Sequence, residues 1–164
     1  MAQAAHIFPN FTQQMGLGSS SSTPVNLSTD TLKVGLVASG TFNWVASTQA
    51  YTTVSQFLTN AGSGGGGALT EVSTSGTGYT RQALTSVTYT ETGLVSTLTC
   101  ANPSWTSATF SSVYAFFYDF TAGGSSDTNG IVLCYWDFGG TQTVTSATFT
   151  LTISGSGLAT WTSS

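Results

Sequence analysis

The stretch that decides the fold is residues 109–140, which read TFSSVYAFFYDF, TAGGSSDTNG and IVLCYWDFGG. Two aromatic, apolar runs flank a loop of small and turn-forming residues. At the two-residue period of a strand, the first run puts Phe110, Tyr114, Phe116, Tyr118 and Phe120 on one face. Val113, Ala115 and Phe117 take the other. The second run puts Ile131, Leu133 and Tyr135 on one side, and Val132, Cys134, Trp136 and Phe138 on the opposite one. Strands apolar on both faces are covered on both faces, so this pair is expected at the centre of a sheet. Asp127-Thr128-Asn129-Gly130 supplies turn chemistry between them.

Outward from this pair, short strands recur at regular spacing. Residues 31–38 alternate, with Leu32, Val34, Leu36 and Ala38 on a single buried face. Residues 69–73, 86–91 and 94–100 read as further strands, with Val87 and Tyr89 on one face of the second and Leu94, Leu98 and Cys100 inward on the third. Pro103 and Trp105 are placed in a loop. Residues 143–153 alternate as a separate strand with Ala147, Phe149, Leu151 and Ile153 on one side, and 158–162 close the sheet. At 53–61 the period changes: Val54, Phe57, Leu58 and Ala61 fit one face of a short helix, with Thr52 or Thr53 as N-cap and Gly62 beyond its end. The fold class expected is all-β: an antiparallel β-sandwich of jelly-roll or immunoglobulin-like type, with one short helix and an extended N-terminal arm.

Residues 1–27 are read as arm and linker, and 28–164 as one sandwich domain. Phe8, Phe11 and Met15 fall at helical spacing, and Gly18 followed by Ser19 to Ser22 has flexible-linker composition. Such an arm reaches onto a neighbour, and losing residues 1–17 is expected to leave the sandwich folded.

Composition narrows the partners. Charged residues are 5% of the chain, against about 25% in ordinary soluble proteins. The two basic residues, Lys33 and Arg81, cannot neutralise a row of phosphates, so no nucleic acid is expected. No apolar run is long enough to span a membrane, and the start lacks the pattern of a signal peptide. The chain is therefore expected to be made in a cytoplasm, with Cys100 and Cys134 unpaired and buried.

Candidate chemistry is sparse. His6, the single histidine, lies in the arm, away from any rigid serine or acid. Asp119, Asp127 and Asp137 end strands or form turns. A facing glycosidase pair or a calcium site is the sharper reading of them, and turn formation the preferred one. The glycine run at 62–67 lacks the lysine and the strand-to-helix frame of a phosphate loop, so it is read as a flexible excursion. No catalytic residue, metal ligand or cofactor is assigned. Phe8, Phe11, Met15, Trp44, Trp105 and Trp161 are the candidate partner-interface residues, because aromatic side chains anchor interfaces. The same tryptophans serve a glycan platform in the competing view.

Five segments carry a resemblance. They are Val25-Asn26-Leu27-Ser28-Thr29-Asp30-Thr31-Leu32-Lys33-Val34-Gly35-Leu36, then Ser75-Gly76-Thr77-Gly78-Tyr79-Thr80 with Ala83-Leu84-Thr85, then Pro103-Ser104-Trp105 leading to Ser112-Val113-Tyr114-Ala115, then Ile131 to Gly139, and Phe149 to Ile153. In this order they resemble a family of small structural proteins of tailed double-stranded DNA bacteriophages. The glycine run, the low charge and Cys134-Tyr135-Trp136 depart from its pattern. The resemblance implies a virion structural protein and no enzyme. Its most frequent role there is head decoration or cement, attached non-covalently to the major capsid protein and to copies of itself on the capsid surface. A tail or fibre protein that binds a receptor or glycan is the second expectation.

Overall fold

The computed structural model describes residues 4–17, 24–60 and 64–162. In chain order the described elements are β1 (Ala4–Ile7), α1 (Pro9–Leu17), β2 (Leu32–Ser39), α2 (Ala46–Gln49), α3 (Val54–Thr59), β3 (Thr70–Glu71), β4 (Gln82–Ala83), β5 (Thr88–Thr92), β6 (Val95–Thr99), β7 (Ser104–Asp119), β8 (Ile131–Thr150) and β9 (Ala159–Thr162). The fold is an all-β sandwich of antiparallel sheets. The larger sheet has the order β1-β8-β7-β2-β3, with β4 also on β2; the smaller has the order β5-β6-β9.

The aromatic runs sit where their two-faced apolarity requires. β7 and β8 lie inside the larger sheet, flanked by β2 and β1. One face meets the small sheet across a cluster that includes Leu36, Phe117, Cys134 and Trp136 together with Leu98, Leu158 and Ala159. The opposite face carries Tyr114, Phe116, Tyr118, Val132 and Tyr135, closed over by Phe8, Phe42, Tyr51, Val54 and Phe57. β2 is covered on both faces, since Val37 is as buried as Val34 and Leu36. At Gly35 the Phe116 ring lies directly across the backbone; a Cβ there would be 2.3 Å from its Cζ.

Within the two aromatic runs simple parity fails at two places, each at a register shift. Phe117 pairs with Cys134 but Tyr118 pairs with Val132, so Leu133 is an extra residue on β8. Leu133 therefore faces the same cluster as Cys134 and Trp136, not the side of Tyr135. Its carbonyl accepts the Phe8 N–H at 2.9 Å. The second shift falls between Ser112 and Tyr114, where the partners jump from Gln142 to Asp137. It carries Phe110 to the inter-sheet cluster while Tyr114 faces the other way.

Other expectations are corrected by the ladder. The strand at 143–153 is not separate: through Thr150 it continues β8, and Ala147 is exposed. Trp105 belongs to β7 and is buried, its indole N–H donating to the Thr80 carbonyl at 2.7 Å. Leu94 falls in the turn after β5 and is 63% exposed. Three helices are present among the described residues rather than one. α3 matches the expected helix, with Thr53 as N-cap. Gln56 Oε1 accepts the Thr52 and Thr53 N–H groups, and Asn60 ends the helix in a left-handed conformation. Ala61, Gly62 and Ser63, like the linker Gly18 to Ser22, lie outside the described residues.

The N-terminal segment is built into the sandwich. Ala4 to Ile7 pair with Asp137 to Cys134. Phe8 and Phe11 are 0% and 1% exposed, one in each cluster, and Met15 packs against the inter-sheet cluster. Apolar side chains expected to reach a neighbour thus fill this chain's own core, because β1 delivers them to both faces of β8.

Candidate functional site

Physical chemistry requires a chain with two cations to spend them carefully, and the fold gathers both in one place. Lys33 sits on β2 and reaches Asp127 in the loop between β7 and β8, Nζ to Oδ1 2.8 Å. Arg81 precedes β4 and grips Glu71 of β3 with two parallel bonds of 2.7 Å, from Nε to Oε1 and from Nη2 to Oε2. A further guanidinium N–H donates to the Asp127 carbonyl. β3 and β4 pair with the same strand, β2, which brings Glu71 and Arg81 to one edge.

Two phenols complete the network. Tyr79 OH donates to Glu71 Oε1 at 2.7 Å and accepts the Leu36 N–H at 2.9 Å. Tyr118 OH donates to Asp127 Oδ1 at 2.6 Å. The cations also lie over rings: Lys33 Nζ is 3.6 Å from the centroid of Phe120, and Arg81 is 5.3 Å from that of Phe116.

The electrostatics describe a clamp, not a reagent. Burial, and then the neighbouring Glu71 carboxylate, push the Tyr79 phenol far above its ordinary range. Burial likewise raises Tyr118. Partial burial works to raise Asp127, but hydrogen bonds from Lys33 and Tyr118 outweigh it and hold the carboxyl below its usual value. The guanidinium is occupied by a carboxylate and a carbonyl. The arrangement can therefore fasten the 121–130 loop and the 72–81 segment to β2, and offers neither an activated nucleophile nor an open anion site.

The other candidates disperse. Asp137 pairs with Tyr114, five positions along β7 from Asp119, so the two carboxylates stand about 17 Å apart along the strand. Asp119 is fully buried; its Oδ1 accepts the Ala122 N–H at 2.8 Å, and its Oδ2 has no partner. Burial, with Asp30 as an acidic neighbour, raises its carboxyl to about 7. Cys100 and Cys134 are unpaired and buried, and burial pushes the Cys100 thiol up to about 11. His6 stacks on Tyr135 with ring centroids 4.8 Å apart. The glycine run is put to structural use: Gly65 and Gly67 turn their carbonyls onto the buried Asn60 amide, the opposite of an anion cradle.

The candidate interface residues are placed as follows. Phe8, Phe11 and Trp105 are buried. Trp44 is half-buried against His6, Phe8 and Tyr135. Trp161 lies between Phe11 and Tyr89. Met15 is partly buried. The structure thus brings Phe8 and Trp44 into one cluster and Phe11 and Trp161 into another, all turned toward this chain's own core. Sequence reasoning missed the network of Lys33, Glu71, Tyr79, Arg81, Tyr118 and Asp127. The signal was the scarcity of cations: two in a chain this long must find partners. The chain matches no protein-family model, no curated protein and no solved structure.

Proposed function

We propose that this protein is a non-catalytic virion structural protein, a head decoration or cement protein that attaches to the major capsid protein and stabilises the shell. One observation carries the reading: the surface is almost without unpaired charge. Of the eight charged side chains, Lys33, Glu71, Arg81 and Asp127 are tied into one network, and Asp119 is buried. Asp30 and Asp137 are half-buried, which leaves Glu91 as the one exposed charge outside an ion pair. Such a surface meets another protein with little ion desolvation, and the depletion of charge is what the cores of interfaces share. Partner class comes from the order of the motifs, from Val25-Asn26-Leu27 to Phe149, that resemble the phage family.

The fibre reading loses support from the same side chains, since Trp105 is buried and Trp44 and Trp161 are packed against rings. Quantitative mass spectrometry of purified particles and a binding assay on bare shells test the proposal. A copy number comparable with that of the shell subunits, and binding that raises the temperature of shell disruption, are expected. A few copies per particle, or glycan binding without shell binding, overturns it.

A further inference from the structure

The small sheet ends on both sides in a strand with no partner among the described residues. Natural edges are defended by charged side chains, lysine above all, by proline, a bulge or a cover. Of these β5 has a single charge, Glu91, and no lysine, proline or bulge. All five of its residues are exposed, and its register to β6 runs without a shift from Thr88↔Thr99 to Thr92↔Val95. Gly93, at φ +62°, and Leu94 make a two-residue turn closed by the pair Thr92 and Val95. In such a hairpin the closing pair is hydrogen-bonded, so Thr88, Thr90 and Thr92 turn their backbone groups toward β6. Those of Tyr89 and Glu91 then point outward. Among the described residues, three of the four exposed large apolar side chains, Tyr89, Leu94 and Val95, are on this hairpin.

At the far side of the same sheet, β9 borders a groove of about 540 Å³. Of its lining residues Trp136, Leu158 and Ala159 are buried, and Ala5 of β1, Thr152 and Thr160 are exposed on its lips. No lining residue is charged.

We infer that β5 of one copy lies along β9 of the next, in this groove, so that successive small sheets join into one. A second copy is the occupant because the open strand and the open groove lie on opposite sides of one sheet. Each copy then offers one and accepts one. The groove is without charge, so Glu91 meets no like charge there. Backbone hydrogen bonds give such strand addition its affinity. Contacts of this head-to-tail kind close into a ring or extend as a filament according to the rotation between copies. The contact does not depend on a shell.

Sedimentation of the full chain over a range of concentrations tests it. The wild type is expected to assemble as concentration rises. Glu91→Pro removes an outward N–H and no ladder bond, and is expected to abolish assembly; Glu91→Gln, which removes only the charge, is expected to keep it. Thr160→Lys sets a charge on the groove lip and is expected to abolish assembly independently, which guards against a folding defect in the proline variant. Mixing the two defective variants is expected to give pairs that grow no further, since one retains the groove and the other the strand. A wild type that stays monomeric, assembly indifferent to both substitutions, or a mixture that stays monomeric overturns the inference. A monomeric protein that still binds shells overturns the inference alone; an assembling protein that ignores shells overturns only the proposed function.

Discussion

From Tyr114 to Asp119, β7 is buried at every position, whereas from Ser104 to Ser112 buried and exposed residues interleave. β8 divides the same way: Ile131 to Trp136 are buried, and from Gly139 to Thr150 none is. Both halves belong to one ladder between the same two strands. The inner half is flanked by β2 and β1 and roofed by the small sheet below and the α3 region above. The outer half is a ribbon packed on one side, where Tyr79, Trp105, Phe110 and Phe149 meet. Two of the ladder's four register shifts fall within it, beside Ser107 and Ser146 in left-handed conformations. The difference teaches that burial on two faces comes from what flanks a strand, not from the strand's own pairing.

Removing the flank should break the inner half first. Deleting residues 1–17 takes away β1, Phe8 and Phe11, and is expected to cost more than about 5 kcal/mol, since each buried phenylalanine alone is worth roughly 3–5. Chemical denaturation should show a grossly destabilised or unfolded protein; a truncated chain with wild-type stability would return the segment to the role of a detachable arm. Phe116→Ala in the inner half is expected to cost about 4 kcal/mol, and Phe149→Ala in the half-exposed ribbon about half as much. Equal losses would erase the distinction between the halves.

The clamp that ties loops to the inner half should respond next. Arg81→Ala leaves the partly buried Glu71, which also accepts from the buried Tyr79, without its cation, and about 3 kcal/mol of stability should be lost. Acid should act in the opposite sense on two carboxyls of this region. Asp119 keeps its proton in the folded state up to about 7, whereas an unfolded aspartate gives it up near 4. Between those values the folded state holds the extra proton, so stability falls as pH rises from about 4 to about 7, by roughly 2–4 kcal/mol, and levels off above that. Asp119→Asn should flatten this slope in denaturant titrations. Asp127, held below its usual value, contributes stability that is lost only as pH falls through the acid range. At the small end, Ala147→Lys on the exposed side of the ribbon should change the unfolding free energy by no more than about 0.5 kcal/mol.

Strands β2, β3, β5, β6 and β9, the aromatic runs of β7 and β8, the helix after Thr53 and the buried thiols were legible in the chain, because each follows from residues close together in sequence; β1, β4 and the start of β7 were not, and of the run 110–119 expected at the centre only 114–119 is buried throughout. Periodicity reports whether a segment is covered, and turn residues report where it stops. Tertiary structure alone decided the rest. Leu133 and Phe110 changed faces because bulges arise from a mismatch between two strands, which neither strand shows by itself. Trp105 and Phe8 went into the core because partners distant in sequence, Thr80 and Leu133, accept their N–H groups. The network of Lys33, Glu71, Arg81 and Asp127 joins residues up to 94 positions apart. Composition said that so few charges must pair; only the shared edge of β2 determined which ones do.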